Sequence, residues 1–258
     1  MKVALCYQGY ERRALFESVL MKRAHDFKES SGSQLRIFAS LGMHIKHYAG
    51  KSDWSGWNDA GYIRYKSRYT SLLRNKSMLE AIEWEPDVII SMDDDMILNH
   101  DTISLLVGAH EDGHAWCSTL AHRLGYLHNP EKHDVESSNI NIPLDDPEQG
   151  FRMGLDFGRY INHEVPAATE IYSLTLDMAQ RMSDHTNGCL FSPRPYPAQS
   201  RNMKQTPADI NGFCAAMDEL GQKCFIVDDN LIRYNPHIAA IDPETYEHLV
   251  EIDHLSCR

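Results

Sequence analysis

The chain has 258 residues, with 25 Lys and Arg against 37 Asp and Glu, so its formal net charge is −12. Hydrophobic residues make up 42% and charged residues 24%, which is the balance of a globular protein and excludes collagen-like, disordered and disulfide-scaffold classes. No window approaches 18 consecutive apolar residues, so we expect no membrane span. The acidity also disfavours non-specific binding to nucleic acid.

Six cysteines occur in the chain, at positions 6, 117, 189, 214, 224 and 257, without a C-x-x-C pair or the spacing of a metal site. Most of them lie in apolar runs, which is typical of reduced cysteines that pack in a core. The apolar run at 2–7 is too short for the core of a secretory signal. These observations predict a cytoplasmic protein.

Short apolar runs alternate with helical patterns along most of the chain. The sequence predicts strands at 2–7, 35–39, 87–92 and 115–120, and helices beginning near Leu15 and covering 69–84 and 102–110. After a polar excursion at 122–163 it predicts a strand at 170–176, helices at 177–182 and 209–220, a strand at 223–227 and a turn at Asp228–Asp229. Strands that alternate with helices predict an α/β sandwich with a mostly parallel central sheet.

Three aspartates, Asp93, Asp94 and Asp95, follow directly on a buried strand. In open α/β sheets, ligands bind beyond the carboxyl ends of the strands. Adjacent carboxylates repel one another and need a cation, and oxygen ligands favour Mg²⁺ or Mn²⁺. Asp93 and Asp95 project to the same side of an extended backbone, where they could hold a divalent ion that bridges a diphosphate. The alternative reading is a solvated acidic turn.

The segment 71–82, with Arg74 and Asn75, and the strand that ends in the acidic triplet resemble nucleotide-sugar glycosyltransferases of the GT-A fold. They look most like the inverting glycosyltransferase family 2, and the resemblance spans roughly residues 1–241. It implies a single-domain αβα sandwich over 1–258. This domain would have a nucleotide-binding half at about 1–121, an acceptor-side half at about 122–241 and a C-terminal tail at 242–258.

The resemblance also implies roles on the donor side of such a site. Asp93 would contact the donor ribose or the metal, Asp95 would ligate the metal, and Arg74 would lie against the nucleotide. His237, in Asn-Pro-His after the last predicted strand, matches a further metal ligand, although a lone histidine is otherwise a surface or packing residue. The full donor-binding set is Tyr7, Gln8, Arg74, Asp93 and Asp94, with Tyr7 open to either base stacking or core packing.

On the acceptor side, Pro207-Ala208-Asp209 stands where the family has a Glu-Asp pair before a helix. The resemblance makes Asp209 the general base, although Ala208 replaces the family's glutamate and Asp209 also suits a helix N-cap. Glu170 is a candidate for bonding acceptor hydroxyls, or else a surface carboxylate at a strand end. Trp54 is a candidate sugar platform, or else a packing residue of its loop.

The resemblance implies transfer of a hexosyl or pentosyl group from a nucleoside-diphosphate sugar to an acceptor hydroxyl, with Mn²⁺ or Mg²⁺ as cofactor and inversion if Asp209 is the base. Two rivals stay open: a sugar nucleotidyltransferase of related fold, and a non-catalytic nucleotide-sugar-binding module. For the acceptor we favour a glycan or small molecule over nucleic acid, despite five basic residues in 64–76. The sugar, the base and the acceptor are not specified by the sequence.

One apparent motif is rejected. His110-Glu-Asp-Gly-His114 fits H-E-x-x-H, but that zinc site needs both histidines on one face of a continuous helix. Asp112-Gly113 is a turn signal directly before an apolar strand, so the sequence predicts the end of a helix there.

Overall fold

The computed structural model describes residues 1–9, 14–41, 60–93, 96–123, 140–143, 151–153, 160–168, 170–191 and 210–233. Its helices are α1 (Ala14–Ser31), α2 (Ala60–Glu83), α3 (Thr102–Glu111), α4 (Leu176–His185) and α5 (Ile210–Glu219). Its strands are β1 (Lys2–Gly9), β2 (Gln34–Leu41), β3 (Val88–Asp93), β4 (Met96–Ile97), β5 (Trp116–Arg123), β6 (Ile140–Pro143), β7 (Phe151–Met153), β8 (Glu164–Val165), β9 (Ala167–Ala168), β10 (Ile171–Thr175) and β11 (Cys224–Arg233).

The central sheet has the order β2-β1-β3-β10-β5-β11-β4, with β8 also paired to β11. Strands β1, β2, β3, β5 and β11 run in one direction, while β10, β4 and β8 run against them. The prediction of an α/β fold with a mostly parallel sheet is therefore confirmed. Strand β10 lies between β3 and β5, although it follows both of them in the chain.

Helices cover both faces of this sheet. Alternate residues of β1 contribute to two separate core clusters, with Ala4 and Cys6 in one and Val3, Leu5 and Tyr7 in the other. The first cluster includes residues of α2, α4 and α5, and the second includes residues of α1 and α3. Since side chains alternate across a strand, this division shows that the sheet is the middle layer of a three-layer sandwich.

The structure corrects two element predictions. Helix α2 begins at Ala60, well before the expected start at residue 69. Residues Asp228 and Asp229, which the sequence predicts as a turn, lie inside β11, which continues to Arg233. The register of β11 against β5 shifts between Val227 and Asn230, so Asp228 and Asp229 lie in an irregularity of the strand. The strand continues past them because of this shift.

The predicted polar excursion also contains regular structure. Strands β6 and β7 pair with each other, and β6 pairs with β9, to form a separate three-stranded sheet. Among the described residues, Cys6, Cys117, Cys214 and Cys224 are free thiols and buried, and Cys189 is a free thiol and partly buried. None of the described helices is long and apolar enough to cross a membrane.

Candidate functional site

The site lies at the carboxyl ends of β1 and β3. Gln8 and Asp93 are paired in register there, and Asp93 is the last residue of β3. The strand before Asp93 is buried along its whole length, while Asp93 itself is partly exposed. The buried strand therefore delivers the first aspartate of the acidic triplet to the edge of the sheet where open α/β proteins bind their ligands.

Arg74 and Asp93 form an ion pair at this edge. A terminal guanidinium nitrogen of Arg74 lies 2.5 Å from Oδ1 of Asp93, and the two side chains are only 7% and 17% exposed. The Arg74 guanidinium also lies 6.0 Å from the centre of the Phe191 ring. A hydrogen bond between two charged groups is stronger than one between neutral groups, and this bond links α2 to β3 at the site.

Asn75, the next residue on α2, is tied to the backbone of Phe191. Its side-chain nitrogen donates to the Phe191 carbonyl at 2.6 Å, and its side-chain oxygen accepts from the Phe191 N–H at 3.0 Å. The Phe191 ring in turn stacks on Phe213 of α5, with ring centres 5.1 Å apart. The two adjacent residues of α2 thus contact β3 through Arg74 and the segment before α5 through Asn75.

Gln8 belongs to a buried polar network beneath the ion pair. Its Nε2 donates to Ser77 Oγ of α2 at 3.0 Å and to Ser91 Oγ of β3 at 3.2 Å, and Gln8 is 3% exposed. Tyr7 points to the other face of the sheet, where it is buried in the cluster shared with α1 and α3. The structure therefore places Gln8 under the site and Tyr7 in the core, and their donor-binding role stays a prediction.

Glu170 is in direct contact with Asp93 through the backbone. The N–H of Asp93 donates to the carbonyl of Glu170 at 3.1 Å. Glu170 has φ of +78°, a left-handed conformation that costs a residue with a Cβ atom about 1 kcal/mol or more. Strained backbone of this kind persists where the surroundings hold it in place, and here it immediately precedes β10 beside the acidic triplet.

Tyr172 is a buried neighbour of these residues that the sequence analysis did not single out. It is fully buried on β10, opposite Ser91 of β3, and its ring centre lies 4.8 Å from that of Phe213. Burial raises the pKa of its hydroxyl well above the ordinary value, while Ser91 and the positive charge of Arg74 act in the opposite direction. The phenol therefore stays neutral below the ion pair. Nothing in the apolar strand around it distinguished Tyr172 from an ordinary core residue.

Five of the predicted site residues lie outside the described residues: Asp94, Asp95, Asp209, His237 and Trp54. Within the described ranges, no group of three His, Cys, Asp or Glu side chains could hold a metal ion. The donor chemistry at the strand end nonetheless fits a hard divalent cation, because three successive carboxylates begin at Asp93 and Arg74 supplies one positive charge beside them. The excess negative charge is what such an ion would neutralise.

The rejected zinc motif is a helix end, as predicted. Helix α3 stops at Glu111, Gly113 has φ of +98°, and His114 stacks on Phe225 with ring centres 3.7 Å apart. His110 is already engaged, with Nδ1 at 2.6 Å from the His114 carbonyl and Nε2 at 2.8 Å from Ser173 Oγ. The two histidines therefore do not share a helix face.

The fold is an α/β sandwich with a candidate ligand site at the carboxyl edge of its sheet. No protein-family model matches the chain, and no curated protein matches it. Glucosyl-3-phosphoglycerate synthase from Mycobacterium tuberculosis, solved with Mn²⁺, uridine diphosphate and phosphoglyceric acid, is a similar solved structure. It has a TM-score of 0.41 and 12% identity over 98% of this chain and 75% of that chain.

Two further similar structures differ in their chemistry. The catalytic domain of Drosophila β1,4-galactosyltransferase 7 with xylobiose has a TM-score of 0.36 and 13% identity over 88% of this chain and 65% of that chain. The 4-diphosphocytidyl-2C-methyl-D-erythritol synthase of Anaerococcus prevotii, a nucleotidyltransferase, has a TM-score of 0.38 and 7% identity over 99% and 98%. At these TM-scores none of the likenesses assigns a function, which has to come from the site itself.

Proposed function

We propose that the protein is a metal-dependent glycosyltransferase of the GT-A type that uses a nucleoside-diphosphate sugar. The observation that carries this proposal is the ion pair between Arg74 and Asp93, which stands at the carboxyl edge of the sheet where the acidic triplet begins. A cation-binding triplet beside a buried arginine suits a diphosphate, because both the metal and the guanidinium stabilise negative oxygens.

The described strands support a metal site made from Asp95 and His237. Met96 of β4 is paired with Arg233 of β11. Asp95 directly precedes Met96, and His237 follows Arg233 by four residues, which span at most about 14 Å of extended chain. The pairing therefore joins the strand that directly follows Asp95 to the strand from which the chain continues towards His237.

A second set of contacts supports Asp209 as the base. Asp209 immediately precedes α5, and Phe213 in the first turns of that helix stacks on Phe191. The Phe191 ring lies against Arg74, which binds Asp93. These contacts connect the start of α5 to the donor side of the site, and a carboxylate there is suited to take the proton of an acceptor hydroxyl.

In this mechanism Asp93, Asp95 and His237 would hold Mn²⁺ or Mg²⁺, which when bound would supply charge stabilisation for the departing nucleoside diphosphate. Arg74 orients the nucleotide, Asp93 binds the ribose or the metal, and Asp94 completes the donor site. Asp209 accepts the proton of the acceptor hydroxyl as that oxygen bonds to the anomeric carbon, so the configuration inverts. Glu170 and Trp54 are proposed to hold the acceptor, a glycan or a small molecule.

We also propose that the chain forms one domain. Strand β10, from the predicted acceptor-side half, lies between β3 and β5 of the predicted nucleotide-binding half. The two halves therefore share one sheet, and separating them would remove a strand from its middle.

A thermal-shift panel tests the function. Nucleoside diphosphates and their sugars, each with and without Mn²⁺, are expected to raise the melting temperature only when the metal is present, because ligands that bind the native state stabilise it. Transfer is then measured with the nucleotide sugar that gives the largest shift. No shift with any nucleotide overturns the proposal, whereas formation of a nucleotide sugar from a nucleoside triphosphate and a sugar phosphate would establish the nucleotidyltransferase rival.

A further inference from the structure

A buried carboxylate, that of Asp229, lies on β11, which β10 and β5 separate from the strand β3 that carries Asp93. Asp229 is 8% exposed and occupies the register shift of β11 between Val227 and Asn230. Each of its oxygens accepts one hydrogen bond: Oδ1 from Nδ2 of Asn99 and Oδ2 from Oγ1 of Thr102, both at 2.6 Å. Asn99 lies in the four-residue connection between β4 and α3, and Thr102 is the first residue of α3.

That connection is the chain that leaves the acidic triplet. Asp95 is followed by the two residues of β4, and Leu98 and Asn99 come directly after them. A second buried charged side chain also binds there, because Nε of Arg23 on α1 donates to the Leu98 carbonyl at 3.1 Å. Two buried charges from distant parts of the chain thus hold one short segment in place.

Stability alone does not account for a carboxylate at this position. Burial is the main cause that raises the pKa of Asp229, and the negative charges of Asp101 and Asp228 raise it further, while the hydrogen bonds from Thr102 and Asn99 lower it. A buried charge is costly to desolvate, and this cost offsets part of what its hydrogen bonds contribute to the free energy of unfolding. What the carboxylate provides is fixed geometry, since it specifies at once the position of Asn99 in the connection and of Thr102 at the start of α3.

The same strand also leads to the other candidate ligand. After Asp229, β11 pairs with β4 through Ile232 opposite Ile97 and Arg233 opposite Met96, and the chain then continues to His237. Asp229 therefore lies on the strand that precedes His237, and its hydrogen bonds reach Asn99 and Thr102, which follow Asp95 and β4 in the chain.

We propose that Asp229 is a positioning residue for the divalent-metal site, which fixes the segment after Asp95 against the strand that precedes His237. This inference rests on the proposed metal-dependent function. Side chains that orient metal ligands from outside the coordination sphere typically change metal affinity by about 10- to 100-fold. The chain offers a matched control in Asp228, the exposed neighbour that carries the same charge.

The test is a Mn²⁺ titration of the full chain. The electron paramagnetic resonance signal of free Mn²⁺ reports how much of the metal is bound, and melting temperatures are recorded in parallel. Asp229→Ala is expected to weaken Mn²⁺ binding at least tenfold, and Thr102→Val, which removes one of the two bonds, by several fold. Asp228→Ala should stay within about twofold of wild type, because loss of one charge without loss of a bond leaves the geometry unchanged.

Affinities within twofold of wild type for both Asp229→Ala and Thr102→Val, despite lower melting temperatures, would overturn the positioning role and leave the proposed function standing. An equal loss in Asp228→Ala would also overturn it, since the effect would then be one of charge. If Asp229→Ala does not fold, Thr102→Val decides by the same criterion. A wild-type protein that binds no Mn²⁺, alone or with a nucleoside diphosphate, would overturn the proposed function and this inference together.

Discussion

Arg74 and Asp93 neutralise each other at the one end of β3 where two more aspartates follow in the sequence. The arginine is thus a built-in counter-charge for the acidic triplet before any cation arrives. If the Arg74 guanidinium and a divalent metal compete for the same carboxylates, the arginine lowers the affinity of the site for the metal. This effect can be measured.

Arg74→Ala is expected to separate metal binding from nucleotide binding. Mn²⁺ affinity without nucleotide should rise several fold, because the triplet loses its counter-charge, whereas the nucleotide-dependent thermal shift should fall. The free energy of unfolding should decrease by about 3 kcal/mol, since a partly buried Asp93 carboxylate is left without its partner. Calorimetric titration and denaturant unfolding measure these quantities. The control is Lys76→Ala, at an exposed position of α2. Weaker Mn²⁺ binding by Arg74→Ala than by wild type would contradict a competition between Arg74 and the metal for Asp93.

Asp209→Asn is expected to abolish transfer while leaving donor binding intact. A general base contributes about 10²- to 10⁴-fold, and the amide cannot accept the acceptor proton. Asp95→Ala should lose both transfer and Mn²⁺-dependent binding of the nucleoside diphosphate. Initial rates and thermal shifts on the same preparations distinguish the two variants. Substantial transfer by Asp209→Asn, with none by Asp95→Ala, would remove Asp209 from the mechanism and with it the expectation of inversion.

Asn75→Ala is expected to lower the free energy of unfolding by about 2 to 3 kcal/mol. The variant loses two hydrogen bonds and leaves the N–H and carbonyl of Phe191 without these partners. Asn75→Asp should lose nearly as much stability as Asn75→Ala. Its carboxylate can still accept from the Phe191 N–H, but its second oxygen, also an acceptor, then faces the Phe191 carbonyl oxygen. Gln222→Ala, which removes only a local bond to the Leu220 carbonyl, is the control. Equal stability of Asn75→Ala and this control would show that the bonds to Phe191 contribute nothing.

Glu170→Gly is expected to be more stable than Glu170→Ala by about 1 kcal/mol, because glycine adopts the left-handed backbone at φ +78° without a Cβ penalty. At Glu80, an exposed position within α2, the order should reverse, with glycine less stable than alanine by about 1 kcal/mol. Denaturant unfolding of the four variants gives both differences. The acceptor role of Glu170 predicts that both substitutions at this position raise KM for the acceptor, whatever their stability.

His110 is expected to make the protein sensitive to mild acid. The carbonyl of His114 can only accept, so Nδ1 carries the hydrogen and Nε2 accepts from Ser173. Burial lowers the pKa of His110 below its ordinary value of about 6.5. The native state therefore binds fewer protons than the unfolded chain. The contribution of the neutral His110 to the free energy of unfolding is complete above about pH 6.5. It decreases as the pH falls from there towards the lowered pKa.

The comparison of wild type with His110→Gln measures this contribution. The variant should show a smaller loss of unfolding free energy between about pH 7 and pH 5, although it starts from a lower stability because its hydrogen bonds differ. His163→Gln, at an exposed position, should keep the wild-type slope. An unchanged slope in His110→Gln would contradict the buried neutral imidazole.

The sequence predicts the layers of the fold and the edge where ligands bind, because the buried strand before Asp93 and its polar ending are local signals. It does not predict that β10 is inserted between β3 and β5, since strand order depends on tertiary pairing. Asp229 was missed because two adjacent aspartates after an apolar run indicate a turn, and only the register shift and the donors from Asn99 and Thr102 explain why the strand continues. Tyr172 was not singled out because a phenol in an apolar strand has the pattern of a core residue.

The insertion of β10 has a consequence for how the chain folds during synthesis. Strands β3 and β5 are complete well before residues 171–175 leave the ribosome, yet each depends on β10 for the pairing of one edge. Until then both strands present open edges that can pair with other chains. Fragments that end before Ile171 should therefore aggregate, even though they contain the entire acidic triplet and Arg74.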